Sequence, residues 1–279
     1  MNSVNKKTPF SVILALCIVV ASLSGCATSY ITPGAKADLQ SFAPATIQSG
    51  FDAKPTNPFP AGIAAVRVQS PTYTNYFLQQ NGGLYGSGNG RYSVIMTREV
   101  EDQAQFDRIA ALPQVSGVVA INRLLLPAKL ESDRELREAA ARLHADLVFV
   151  YTFDTAFFNA DAATPLTVVT LGLSPTRKVT AVTTVSSLLL DTRTGYVYSA
   201  HEATEREAIR STSWGSLLAA DKARQTTEGR AFGKLIDEVV KAWPKLLKAH
   251  PPSGTPSTAG QPATTPAKPA APGADSFWK

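Results

Sequence analysis

The side chains able to do chemistry in this 279-residue chain are few and scattered. Both cysteines, Cys17 and Cys26, lie near its start. The three histidines, His144, His201 and His250, stand at no metal-ligand spacing to one another, to a cysteine or to an acidic residue. His144 falls at the end of a predicted helix, where a cation meets the negative end of the dipole. The pair His201-Glu202 has the types for acid–base work. However, Glu202, Glu205 and Glu207 alternate with Arg206 and Arg210, which reads as a solvated strand end or a helix start. No Gly-x-Ser-x-Gly elbow occurs. The glycines between Gly82 and Gly90 suggest a phosphate loop, but they fit neither Gly-x-Gly-x-x-Gly nor Gly-Lys-Ser/Thr. A strand, not a helix N-terminus, is expected after them, so they read as a β-connection. No catalytic residue, metal or cofactor is expected, and the chain is read as not an enzyme.

Aromatic residues offer binding rather than reaction. Tyr73, Tyr76, Phe77 and Tyr85 cluster around the Gly-rich loop. They are candidate partner-binding residues, because aromatics are enriched where interfaces hold most tightly. The other reading has them covering a sheet edge. Phe277 and Trp278 close a Pro-, Ala- and Thr-rich stretch, either as an anchor to a partner or as plain terminal sequence.

The elements that position these residues alternate in type. The apolar run 63–68 reads as a strand, as does 92–96. Helical spacing over 101–112 places Phe106, Ile109 and Ala110 together, and Pro113 stops it. A third strand is expected within 115–126. Ser132 with Glu135 three residues on forms a capping box for a helix running to about His144. The nearly continuous apolar run 146–153 suits a strand covered on both faces. The segments 166–173, 179–190 and 196–202 are β-rich and joined by short turns, which implies antiparallel hairpins. From about Trp214 to Trp243 the pattern is helical. Phe232, Leu235, Ile236, Val239, Val240 and Trp243 form one stripe, and Pro244 is expected to end or kink the helix. The fold class is therefore α/β of the mixed α+β kind. A mixed sheet carries helices, with a βαβα part first, then an antiparallel meander and a long C-terminal helix.

The first residues have a different composition. Lys6 and Lys7 precede an apolar run too short to span a bilayer, which takes about 20 apolar residues. A positive start, a short apolar middle and small residues at the end make a secretory signal peptide. Its close, Leu23-Ser24-Gly25-Cys26, resembles the lipobox of bacterial lipoproteins. That resemblance implies cleavage before Cys26, a diacylglyceryl group on its thiol and an acyl chain such as palmitate on the new amino end. Removing 25 residues from 279 leaves 254, with Cys26 the one remaining cysteine and its thiol consumed. No disulfide can then form, and the fold must rest on its core. Loss of Lys6 and Lys7 lowers the net charge from +5 to +3, too little to argue for a nucleic-acid partner. The organisation expected is a signal peptide over 1–25, a Pro-containing flexible tether over 26–60, one domain over 61–249 and a disordered tail over 250–279.

A further likeness lies inside the domain. Ala139-Ala140-Ala141-Arg142-Leu143-His144-Ala145-Asp146 carries a helix into the run from Leu147 to Tyr151. Later, Leu188-Leu189-Leu190 leads into Asp191-Thr192-Arg193-Thr194-Gly195-Tyr196-Val197. This resembles the curli-secretion lipoprotein superfamily and its relatives, the lipoprotein activators of penicillin-binding proteins. The resemblance covers about 60 residues and implies docking or assembly, with no catalytic residues to carry over. The expectation is a non-catalytic cell-envelope protein on the periplasmic side. A lipid anchor holds it to the outer membrane, Ala27 rather than Asp following Cys26. It would bind an envelope protein or associate with itself. A subunit of an outer-membrane secretion pore is the first alternative, with the β-rich stretch 166–190 as its one candidate hairpin. An envelope hydrolase is the second.

Overall fold

The computed structural model describes residues 36–37, 47–75, 90–161, 171, 177–212 and 215–252. The signal peptide and Cys26, the expected tether apart from 36–37 and 47–60, the aromatics Tyr76, Phe77 and Tyr85, the β-rich segment 166–173 apart from Leu171, and the expected tail from 253 on, with Phe277 and Trp278, lie outside them.

The elements run α1 (Ile47–Asp52), β1 (Ala61–Gln69), β2 (Ser93–Ile95), α2 (Gln103–Ala110), β3 (Val115–Ala120), α3 (Asp133–Arg142), β4 (Leu147–Asp161), β5 (Arg177–Asp191), β6 (Val197–Ser211) and α4 (Ser216–Ala249). Among the described residues six strands make one mixed sheet in the order β2-β1-β4-β5-β6, with β3 also paired to β1. β1 is parallel to β3 and β4, and β4, β5 and β6 form an antiparallel meander. The expected mixed α+β architecture is what the chain forms.

Each face of the sheet has its own core. On one side Ile63, Phe149, Tyr151, Phe153, Val185 and Leu189 meet Phe106 of α2 and the stripe Phe232, Leu235, Ile236, Val239 and Trp243 of α4. On the other, Ala64, Val66, Val148, Val150 and Leu190 meet Leu136, Ala139 and Ala140 of α3. The Ser132–Glu135 capping box is present: Glu135 accepts from the Ser132 backbone N–H at 2.9 Å.

Several boundaries differ from the sequence reading, and β4 runs on to Asp161 where the apolar run ends at 153. β3 stops at Ala120, because the Asn122 side chain accepts from Leu124 N–H and caps a 3-10 turn over Arg123–Leu125. β6 runs through the charged stretch to Ser211, where Glu205 pairs with Lys234 and Glu207 with Arg230 of α4. α4 passes Pro244 and continues to Ala249. A helix-interior proline costs about 3 kcal/mol. The buried Trp243, whose indole N–H donates to Pro113 O at 2.9 Å, and the buried Leu246 hold the chain in line on either side of it. The segment expected as a tether over 26–60 is fixed to the domain at several points. Ala37 is buried and its N–H donates to Thr152 Oγ1 at 3.3 Å, Thr56 bonds Asp191, and Phe59 lies in the core.

Candidate functional site

A turn positions an open recess between β6 and α4. Between β5 and β6, the buried Asp191 collects five hydrogen bonds. Its Oδ1 accepts from the N–H of Arg193 at 2.9 Å and of Thr194 at 3.2 Å, while Gly195 turns the chain at φ +73°. Its Oδ2 accepts from Thr56 N–H at 2.9 Å, from the Thr56 hydroxyl and from Tyr198 OH at 3.1 Å. Burial pushes this carboxyl's pKa up, and the donors from Thr56, Thr194 and Arg193 outweigh it, so the net shift is downward. Tyr198 OH also accepts from Asn57 N–H at 3.0 Å. Burial beside the Asp191 carboxylate pushes its phenol up to about 12. The Asp-x-x-Thr-Gly stretch is thus a knot joining the turn, β6 and the segment before β1.

Tyr198 then forms a wall of a groove between β6 and the end of α4. Val239, Ala242, Trp243, Leu246 and Ala249 also line it, with Ser199, His201, Lys245 and His250 at its polar positions. Its volume is about 200 Å³. The His250 ring meets Tyr198 edge-on at 4.9 Å and Tyr196 at 5.8 Å. Phe59 supports the floor, 6.0 Å from Trp243. Burial lowers the pKa of both imidazoles, with Glu238 opposing the shift at His201, which favours the neutral form of each. Each can donate one hydrogen bond and accept one. The groove is therefore chemically suited to an apolar or aromatic group flanked by a polar one. Among the described residues no hydrogen bond links Ser199 to either imidazole, and no three His, Cys, Asp or Glu side chains gather where a metal ion could sit.

The largest polar cluster is closed inside the core. Arg67 of β1 donates to Glu101 Oε1 at 3.3 Å and to Tyr73 OH at 2.9 Å, and lies 3.6 Å from Glu228. Arg224 of α4 holds Glu228 at 2.8 Å, Asp221 at 3.0 Å and Glu99. Thr155, Thr183 and Thr227 extend the chain of hydroxyls from Glu228 to the Ala223 carbonyl. Burial alone would lower the pKa of both arginines, but the acidic groups and tyrosine hydroxyls around them hold it above its ordinary value. This is a structural network, since neither guanidinium reaches solvent.

The sequence-selected residues therefore separate. Tyr73, read as a docking aromatic, is buried; its hydroxyl accepts from Arg67 and Asn75, which corrects its assignment to a partner surface. Its companions Tyr76, Phe77 and Tyr85, like Phe277 and Trp278, fall outside the described residues. His144 sits past the end of α3 with φ 55°, a position set by backbone geometry. His201 and His250 do meet, at the groove. The sequence does not mark Tyr198 and Trp243, the groove's aromatic walls, as site residues. Their signal is faint: two aromatics 45 positions apart, brought together by a strand start and a helix end.

No family model matches the chain, and no curated protein matches it. It is similar to the crystal structure of a neuraminyllactose-binding hemagglutinin homolog from Helicobacter pylori, with 10% identity, a TM-score of 0.30, and coverage of 75% of this chain and 97% of that one. It is also similar to a hypothetical protein from Chlamydia trachomatis, with 12% identity, a TM-score of 0.24, and coverage of 68% of this chain and 98% of that one.

Proposed function

We propose that this protein is a lipid-anchored, non-catalytic binding and assembly module of the cell envelope, held at the outer membrane and facing the periplasm. The observation that carries the reading is the box Leu23-Ser24-Gly25-Cys26 behind a short apolar run. No helix among the described residues is long and apolar enough to cross a membrane. The acyl chains on Cys26 would supply the membrane contact, each buried CH₂ contributing about 0.8 kcal/mol. The buried contact of Ala37 supports a short leash. From Cys26 to Ala37 the chain spans at most about 40 Å fully extended, so the domain works close to the bilayer surface. As to the pore alternative, the part of its candidate hairpin within β5 packs Val179, Ala181, Val185 and Leu189 as buried residues of the domain.

The test is metabolic labelling with an alkyne fatty acid, followed by membrane fractionation of the wild type and Cys26→Ser. The wild type should carry label and partition with outer-membrane lipoproteins. Cys26→Ser should carry none and accumulate uncleaved. Equal labelling of the two would refute the anchor.

A further inference from the structure

β6 ends the sheet, and among the described residues no strand pairs with its outer edge. It is fifteen residues long and contains no proline. The opposite edge is divided between β2, three residues, and β3, six residues. A long unpaired edge presents a row of free N–H and C=O groups, which is a template for another strand. Charged side chains commonly guard such an edge. Here they are of both signs, and their order makes the strand complementary to itself. On the face away from α4, Ala200, Glu202, Thr204, Arg206 and Ala208 are all exposed.

We propose that β6 pairs antiparallel with β6 of a second copy of this chain, about a two-fold axis through Thr204, joining the two sheets into one. This register sets Glu202 opposite the partner's Arg206, and Arg206 opposite the partner's Glu202. Thr204 meets the partner's Thr204, and Ala200 meets the partner's Ala208. On the helix face His201 comes opposite the partner's Glu207, and Ala203 opposite the partner's Glu205. Both copies keep α4 on the same side of the joined sheet. Directly opposed side chains in an antiparallel pair lie about 4.5–5.5 Å apart at Cβ, so opposite charges attract and like charges repel. Neighbouring axes match the charges less well. One through Glu202, Glu205, Arg206 or Glu207 places a like charge against itself. One through Ala203 puts Glu202 opposite a threonine and Arg206 opposite an alanine. Arg206 has no ion-pair partner among the described residues of its own copy, which leaves it available for this contact. The pairing is isologous and closes after two copies, as the commonest soluble assemblies do.

The proposal is independent of lipid anchoring, and its test removes the anchor. The full-length chain carrying Cys17→Ser and Cys26→Ser has no other cysteine. Purified in detergent, it should sediment as a concentration-dependent dimer. Glu202→Arg or Arg206→Glu should each weaken dimerisation on the order of tenfold or more, since the symmetry breaks two pairs at once. The double variant Glu202→Arg/Arg206→Glu should recover it. Both side chains are exposed, and circular dichroism checks that each variant folds. Thr204→Cys in the same background should form a disulfide-linked dimer under copper–phenanthroline oxidation, and Ala200→Cys alone should not. A monomer at every concentration overturns the proposal. So does a dimer indifferent to the single reversals, or a double variant that fails to recover.

Discussion

Replacing Asp191 should expose how much of the domain hangs on one carboxylate. Five donors converge on it, three of them backbone N–H groups, and the side chain is fully buried. A hydrogen bond to a charged group contributes about 1.5–3 kcal/mol, and donors sharing one acceptor are not additive. Asp191→Ala strands these donors together and should cost about 4 kcal/mol, a large part of a typical domain's stability. Asp191→Asn keeps the shape and one acceptor oxygen, and should cost about 2 kcal/mol. The pH dependence separates charge from shape. The folded-state pKa lies below its ordinary value, because the donors from Thr56, Thr194 and Arg193 outweigh the upward push of burial. The carboxylate's stabilisation is therefore complete above the unfolded pKa, near 3.9, and drains away as pH falls through the lower folded value. Urea denaturation of wild type and Asp191→Asn at pH 7 should differ by that amount. The gap should narrow progressively below about pH 4. Equal stabilities at pH 7, or a gap that widens in acid, would show that the Asp191 charge does not hold the turn.

Other substitutions probe the helix, the buried charges and one backbone contact. Ile236→Asp puts an unpartnered carboxylate into the core under α4 and should cost at least about 4 kcal/mol. Lys234→Asp loses an exposed pair with Glu205 and should cost about 1 kcal/mol or less; thermal denaturation of the two tests the helical phase. Arg224→Met leaves Glu99, Asp221 and Glu228 without their shared cation and should cost about 3–5 kcal/mol by urea denaturation, a loss that adding Glu228→Gln should partly reverse. Gly90→Ala should cost at least about 2 kcal/mol in the same assay, because a Cβ there would stand 2.1 Å from the Leu130 carbonyl oxygen.

The elements with strong apolar patterns were legible in the sequence. The stripe on α4, the box at Ser132 and the run into β4 each appear where their spacing places them. Glu205, Arg206 and Glu207 have low strand propensity and hide the second half of β6; its pairing with β5 and the α4 cations Arg230 and Lys234 override that. The Arg67–Arg224 cluster stayed hidden for a related reason. Asp221, Arg224 and Glu228 stand three and four residues apart, the same spacing as a solvated helix face. Arg67 inside an apolar strand was the one hint that a charge had to be met in the core. The Asp191 turn has a recognisable local sequence, but its bonds to Thr56 cross 135 positions and no local pattern encodes them. The groove is likewise a product of topology, since Tyr198 and Trp243 meet through the meander and the last helix.

Lipid anchoring is tested most directly by the intact mass of the protein extracted from its own membranes. An anchored protein should begin at Cys26 and be heavier than its 254 residues by a diacylglyceryl group and an amide-linked acyl chain, with the added mass localised to the N-terminal peptide. A mature chain that begins at any other residue, or begins at Cys26 with a free thiol and no lipid, would contradict it.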